Sequence, residues 1–147
     1  MKPINEMRMR IESRSVNEAF ARAAIAAFVA QLDPNLEEIS DIKTAVSEAV
    51  TNCIVHAYAD TVGLIYIWVG LYEDGTARVK IRDKGCGIAD VKRAMEPLYT
   101  TLGEERAGLG FAVMESFCDR LNVRSAVGKG TTVTLTKRIK GRSGGDD

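Results

Sequence analysis

Hydrophobic and polar positions change period along this chain. Near the start, Met7, Met9 and Ile11 alternate with Arg8, Arg10 and Glu12, the two-residue period of a strand with one buried face. The period then lengthens to that of a helix. Ser15 followed by Glu18 reads as a capping box, and Phe20, Ala23, Ala24, Ala27 and Phe28 recur at helical spacing as its inward face, through about Leu32. Asp33-Pro34-Asn35 stops that helix and starts the next. From about Leu36 to Tyr58, Ile39, Ile42, Val46, Ala49, Val50, Cys53 and Ala57 fall on one stripe. At roughly 100° per residue, Glu48 and Asn52 lie on the opposite side of this second helix, one turn apart.

The second half alternates more often. Leu64 to Tyr72 is rich in β-branched and aromatic residues and closes in the turn Glu73-Asp74-Gly75-Thr76, a hairpin signal. The next strand runs from Ala77 to Arg82 and ends at Asp83. A short helix is predicted near Asp90 to Glu96, broken by Pro97, and Leu98 to Ala107 shows no periodicity and reads as a loop. A helix then begins near Gly108 and runs to about Asp119, with Leu109, Val113, Met114 and Phe117 inward. Two last strands, Leu121 to Ala126 and Thr131 to Ile139, flank a glycine turn at Gly128 to Gly130. This order predicts an α/β (α+β) two-layer sandwich, with helices on one face of a mixed, mostly antiparallel sheet. Residues 1–140 form one domain in this reading, and 141–147 form a flexible, frayed tail.

Composition narrows the function. The 147 residues hold 20 basic and 20 acidic side chains, and the pI is about 6.6. That balance argues against a general nucleic-acid binder. Cys53, Cys86 and Cys118 show no metal-ligand spacing, and His56 is the one histidine, so a zinc site is disfavoured. No apolar leader opens the chain and no apolar run reaches membrane length, so the expected setting is cytoplasmic, away from membranes and with reduced thiols.

Four short pieces carry the chemistry. Asp83-Lys84-Gly85-Cys86-Gly87 ends a strand with a carboxylate able to accept from an exocyclic amine such as adenine N6, beside glycines that let backbone approach a flat ring. The bland alternative is a tight turn with a capping Asp. Gly108-Leu109-Gly110, read as a helix opening, would turn free N–H groups toward phosphate oxygens; alone it is only a flexible start to a helix. The chain holds no GxxxxGK[ST] run, so a P-loop is excluded. Within Glu48-Ala49-Val50-Thr51-Asn52, Asn52 can offer an amide oxygen to Mg²⁺. Glu48, one turn earlier, can take a proton from an attacking hydroxyl or orient a water. Its bland alternative is a surface carboxylate paired with Lys43. The fourth piece is Gly128-Lys129-Gly130-Thr131-Thr132 in the last hairpin.

Together, Asn52, Asp83-x-Gly85-x-Gly87, Gly108-x-Gly110 and Gly128-x-Gly130-Thr131-Thr132 resemble the N, G1, G2 and G3 boxes of the GHKL ATPase and kinase superfamily, the Bergerat fold. Ser47 to Asn52, the run Pro97-Leu98-Tyr99-Thr100-Thr101 and Glu105 to Phe111 are similar to the bacterial anti-sigma factor kinases. The likeness covers nearly the whole chain, including Phe20-Ala21-Arg22 and Phe28 to Pro34. It is greater to the sporulation branch, which acts on a sigma factor of the F type, than to the stress-response branch.

The resemblance implies a set of roles. Asn52 would hold Mg²⁺. Asp83 would bind adenine in ATP or ADP, with Gly85, Gly87 and Thr132 around the base. Residues 98–107 would form a lid with Thr101, and Gly108, Leu109 and Gly110 would follow it along the nucleotide. Arg106 would reach the terminal phosphates, and Glu48 would be the general base toward a serine of a small anti-anti-sigma factor. The family also binds a sigma factor and forms homodimers, and Arg22 on the first helix is a candidate partner contact. Two other readings stay open: a nucleotide-gated adaptor without phosphate transfer, and a histidine kinase or gyrase-like domain cut from a longer protein. Glu48 and Arg106 count against the first, and the short span after the last glycine box counts against the second.

Overall fold

The computed structural model describes residues 1–95 and 102–141, with side chains at all of these except 92, 93 and 102–109. In chain order the elements are β1 (Asn5–Glu12), α1 (Val16–Val29), α2 (Leu36–Asn52), β2 (Leu64–Leu71), β3 (Thr76–Asp83), α3 (Val91–Ala94), α4 (Leu102–Phe117), β4 (Arg120–Ala126) and β5 (Gly130–Arg138). The strands form one sheet in the order β1-β2-β3-β5-β4, every neighbouring pair antiparallel. The helices pack on one face of it. This is the α+β sandwich expected from the pattern.

Alternation within the strands chooses the packed face. In β3, Ala77, Val79, Ile81 and Asp83 are buried while Lys80 and Arg82 are exposed. Ile65, Ile67, Val69, Val133 and Leu135 face the same core, where Ile42, Val46, Val50, Phe111 and Met114 meet them from the helices. Burying each of the larger of these side chains is worth roughly 1.5–3 kcal/mol. On the other face, Tyr66, Trp68, Lys80, Arg82 and Arg124 line an open groove of about 900 Å³.

The second helix is the best-terminated element. The Asn35 side chain accepts from Glu38 N–H at 2.8 Å and Glu38 accepts from Asn35 N–H at 3.0 Å, a complete capping box. Glu38 also accepts from the N–H groups of Lys140 and Gly141, at 2.7 and 3.2 Å, which ties the last described residues to the start of α2. Gly141, expected in the frayed tail, is buried there; residues 142–147 lie outside the described residues. Beyond Asn52 the helix widens into a π segment, Cys53–Ala57, closed by Tyr58 N–H to the Cys53 carbonyl at 3.0 Å.

Several expectations are corrected. Ser15 makes no side-chain cap, because its backbone is already helical (φ −57°, ψ −33°) rather than extended, and the Glu18 carboxylate meets Ser47 and Arg22 instead. The buried face of α1 is Ala21, Ile25, Ala26 and Val29, whereas Phe20 is 56% exposed and Ala23 and Ala27 face solvent. A helix apolar on nearly every side gives periodicity two solutions, and tertiary packing selects one. In α4 the core residues are Phe111 and Met114; Phe117 is 36% exposed. Helix α4 also starts at Leu102, so part of the predicted loop is helical. Glu104, Glu105, Arg106 and Ala107 are strong helix formers, and their propensity outweighs the missing periodicity. Pro97 and the rest of 96–101 lie outside the described residues.

Candidate active site

The site forms where α2, α4 and the end of β3 approach one another. Glu48 and Asn52 leave α2 on the side away from its Ile42, Val46 and Val50 core stripe, and both are half-buried. Gly110 of α4 lies against them. A Cβ placed on it would stand 3.2 Å from Glu48 Oε2 and 3.2 Å from both side-chain polar atoms of Asn52. A side chain there would make the neighbours give way by a few tenths of an ångström, so glycine suits the approach. The Asn52 Nδ2 atom is fully buried and has no hydrogen-bond partner among the described residues. A buried N–H donor left unsatisfied is costly, and it calls for an acceptor that the described residues do not supply.

Asp83 closes the other end. It is 5% exposed. Its Oδ1 accepts from Gly85 N–H at 2.9 Å and Thr131 N–H at 3.2 Å, and its Oδ2 accepts from the Cys53 thiol at 3.6 Å. Burial raises its pKa above the ordinary aspartate value, against the lowering effect of these three donors. The thiol is pushed well above its usual range by burial and then by the Asp83 charge, so Cys53 remains an S–H donor.

The glycines set the loop around this carboxylate. At Gly85 an added Cβ would collide with the Ala57 carbonyl of the π segment, which also accepts from Cys86 N–H at 3.3 Å. Gly87 (φ 76°) lies against the Ala126 carbonyl, and Gly130 (φ 106°) against that of Asp83. Both combine a left-handed backbone with a contact that excludes any side chain.

The structure brings Glu48, Asn52 and Gly110 together at one end, and Asp83, Gly85 and Gly87 at the other. Thr132 departs from its expected place beside the base. It pairs with Arg82 and Arg124, and strand alternation turns its side chain to the open face of the sheet. The neighbour of Asp83 is Thr131, buried and bonded to Ser125 Oγ at 2.8 Å. A second correction concerns Gly108 and Gly110. They lie inside α4 rather than at its start, so the role the structure gives Gly110 is close approach to α2. Thr101, and the side chains of Arg106 and Leu109, lie outside the described residues. Arg22 is on α1, paired with Glu18 at 3.3 Å, and it lines a polar groove with Ser40, Lys43, Thr44, Ser47 and Glu48.

Sequence reasoning missed three supporting residues. Tyr58 donates to the Leu64 carbonyl at 2.8 Å and accepts from Lys84 N–H at 2.6 Å, bracing the turn after Asp83. Ser125 accepts from Ile88 N–H at 2.8 Å and so holds the segment after Gly87. Cys53 was legible only as a core residue. For Tyr58 and Ser125 the sequence carries no local signal, because their partners are set by the turn of the chain.

Residues 11–137 match the family model for a histidine kinase-like ATPase domain. The anti-sigma F factor of Caldanaerobacter subterraneus subsp. tengcongensis is 56% identical over 136 residues, covering 92% of this chain and 94% of that protein. The anti-sigma F factor of Thermoanaerobacter sp. is 53% identical over 140 residues, covering 95% and 97%. Among solved structures, the RsbU and RsbW domains of a Mycobacterium tuberculosis protein superpose with a TM-score of 0.69 at 25% identity, over 93% of this chain and 32% of that one. The blue-light activated histidine kinase of Erythrobacter litoralis shares the fold, with a TM-score of 0.60 at 22% identity over 82% of this chain and 41% of its own.

Proposed function

We propose that this chain, which belongs to the anti-sigma F factor family and carries its histidine kinase-like ATPase domain, is a protein serine kinase acting on a small anti-anti-sigma factor. In the same reading it binds and inhibits a sporulation sigma factor of the F type, acts as a homodimer and works in the cytoplasm.

One observation carries the kinase reading. Glu48 touches two spaces at once, the inner contact with Asn52 and Gly110 and the outer polar groove of Arg22, Ser40, Lys43, Thr44 and Ser47. A carboxylate so placed can meet a hydroxyl arriving from outside and a phosphate held within. Water and serine are both within its chemistry, and a protein docked over the groove would favour serine.

The residues fit a magnesium nucleotide. The buried Nδ2 of Asn52, a donor with no acceptor among the described residues, suits a phosphate oxygen, and the Oδ1 of the same amide is the atom that could serve an ion that takes oxygen ligands. Among the described residues no three His, Cys, Asp or Glu side chains converge as a metal cage, so the ion would owe its remaining ligands to phosphate oxygens and water. Mg-ATP, when bound, supplies the phosphoryl group and neutralises its charge. Asp83 accepts from the adenine amine, with Gly85 and Gly87 giving the base access. Arg106 is assigned to the terminal phosphates, with Thr101, Gly108 and Leu109 beside the nucleotide. Glu48 takes the serine proton.

Partner binding is assigned to α1. Val16, Phe20, Ala23 and Ala27 form an exposed stripe spaced by four, three and four residues, next to Arg22. An apolar stripe with a flanking cation suits a protein surface with the opposite pattern. The alternative without phosphate transfer is a nucleotide-gated adaptor, which has no use for Glu48 at this point.

Incubating the chain with Mg-ATP and a candidate anti-anti-sigma factor tests the proposal. Phosphoserine on that factor, formed one for one with ADP, is expected. Nucleotide-dependent sigma factor binding with no phosphoserine would favour the adaptor.

A further inference from the structure

We propose that the Cys53 thiol is a positioning residue for adenine recognition, holding the Asp83 carboxylate in the orientation that accepts an exocyclic amine. The inference rests on the assignment of Asp83 to the base.

The geometry of Asp83 is asymmetric. Two backbone donors, Gly85 N–H and Thr131 N–H, meet Oδ1. On Oδ2 the thiol of Cys53 at 3.6 Å is the one donor among the described residues. With Oδ1 engaged twice, rotation of the carboxylate is settled by what meets Oδ2. Cys53 is itself fixed: it is 3% exposed, and its carbonyl accepts the Tyr58 N–H bond that closes the π segment.

The chemistry suits that task. A thiol donates through its S–H and carries no charge, so Cys53, 3.6 Å from Asp83 Oδ2, can donate to the carboxylate without repelling it. A carboxylate held ionised accepts from the amine of adenine. It rejects a base presenting a carbonyl in that position, because two acceptors would face each other in a buried site. Cys53 never touches the base in this account; it acts through Asp83.

The test compares wild type, Cys53→Ala and Cys53→Ser for binding of ADP and of purine riboside diphosphate, which lacks the amine, across pH in Mg²⁺. Removing one donor from a charged acceptor should raise the Kd for ADP about five- to tenfold in Cys53→Ala. It should also move the acid limit of ADP binding to higher pH and leave the analogue's Kd within about twofold, since no hydrogen bond to it is lost. Cys53→Ser restores a donor and should match wild type on all three readings.

Unchanged ADP binding and an unchanged acid limit in Cys53→Ala would overturn the proposal, as would equal losses for ADP and the analogue in both variants. Infrared spectroscopy of the wild type needs no variant to fold: an S–H stretch that shifts as Asp83 is protonated is expected, and no pH-dependent S–H band would contradict the contact. A wild type that binds ADP and prefers it to the analogue, beside an unaffected Cys53→Ala, removes only the role of Cys53. A wild type with no preference for ADP removes the base assignment and this proposal with it.

Discussion

Gly110 of α4 and Glu48 of α2 are in contact through an absent side chain: a Cβ on the glycine would lie 3.2 Å from the carboxylate oxygen. The same methyl would be equally close to Asn52. Gly110→Ala therefore changes the site more than the fold. Alanine favours a helix over glycine by about 1 kcal/mol, which offsets the tight contact. Thermal melting should stay within a few degrees of wild type, while phosphoserine formation falls at least about tenfold, as expected for a small displacement of reacting groups.

Asp83→Asn should separate stability from binding. Burial raises the folded pKa of Asp83 above its unfolded value. Its contribution to stability is therefore full in acid and is lost as pH rises through the folded pKa, so at neutral pH the buried charge is a cost. The amide removes that cost but turns away the adenine amine. The melting temperature should hold or rise, with ADP affinity reduced by about tenfold or more. In the wild type, ADP binding should weaken on acidification at a pH above the usual aspartate range.

Glu38 has the opposite sign. Burial alone would raise its carboxyl, but the N–H groups of Asn35, Lys140 and Gly141 together with the Lys137 charge bring it below its ordinary value of 4.5. The stabilisation is complete above that value and is lost as pH falls through the lower folded pKa. Glu38→Ala should cost about 1–3 kcal/mol near neutrality, by leaving buried donors unmet. It should also flatten the acid limb of a urea-unfolding series.

Arg22→Ala tests the assigned partner face. The Arg22–Glu18 pair is a partly exposed i,i+4 contact at 3.3 Å, worth about 0.3–0.5 kcal/mol. Melting and ADP affinity should be unchanged, and binding to the sigma factor should weaken. Loss of ADP affinity without loss of partner binding would place Arg22 on the nucleotide side.

Much of this was readable in the chain. Alternation at Met7, Met9 and Ile11 located β1, and Asp74-Gly75 located the β2–β3 hairpin, because a strand against a core has a period of two whatever its partners. Glu48 and Asn52 were legible as a polar pair opposite an apolar stripe. Phe20 was not, because a helix apolar on nearly every side leaves the choice of face to tertiary packing. Thr131 and Thr132 are adjacent and chemically identical, so only the β3–β5 register, Asp83 opposite Thr131, decides which side chain joins the carboxylate. Gly108 and Gly110 looked like a helix opening because glycine favours ends. In the structure, Gly110 serves the approach of α4 to α2, a tertiary reason that no local window contains.

The central claim is that Glu48 performs proton transfer to make phosphoserine. The direct measurement is single-turnover phosphorylation of the anti-anti-sigma factor by Glu48→Gln, with Mg-ADP affinity measured on the same protein. Glutamine keeps the shape and removes the basicity, so the rate should fall by about a hundredfold or more while ADP affinity stays within about threefold. Phosphorylation at the wild-type rate, with nucleotide binding intact, would contradict the account.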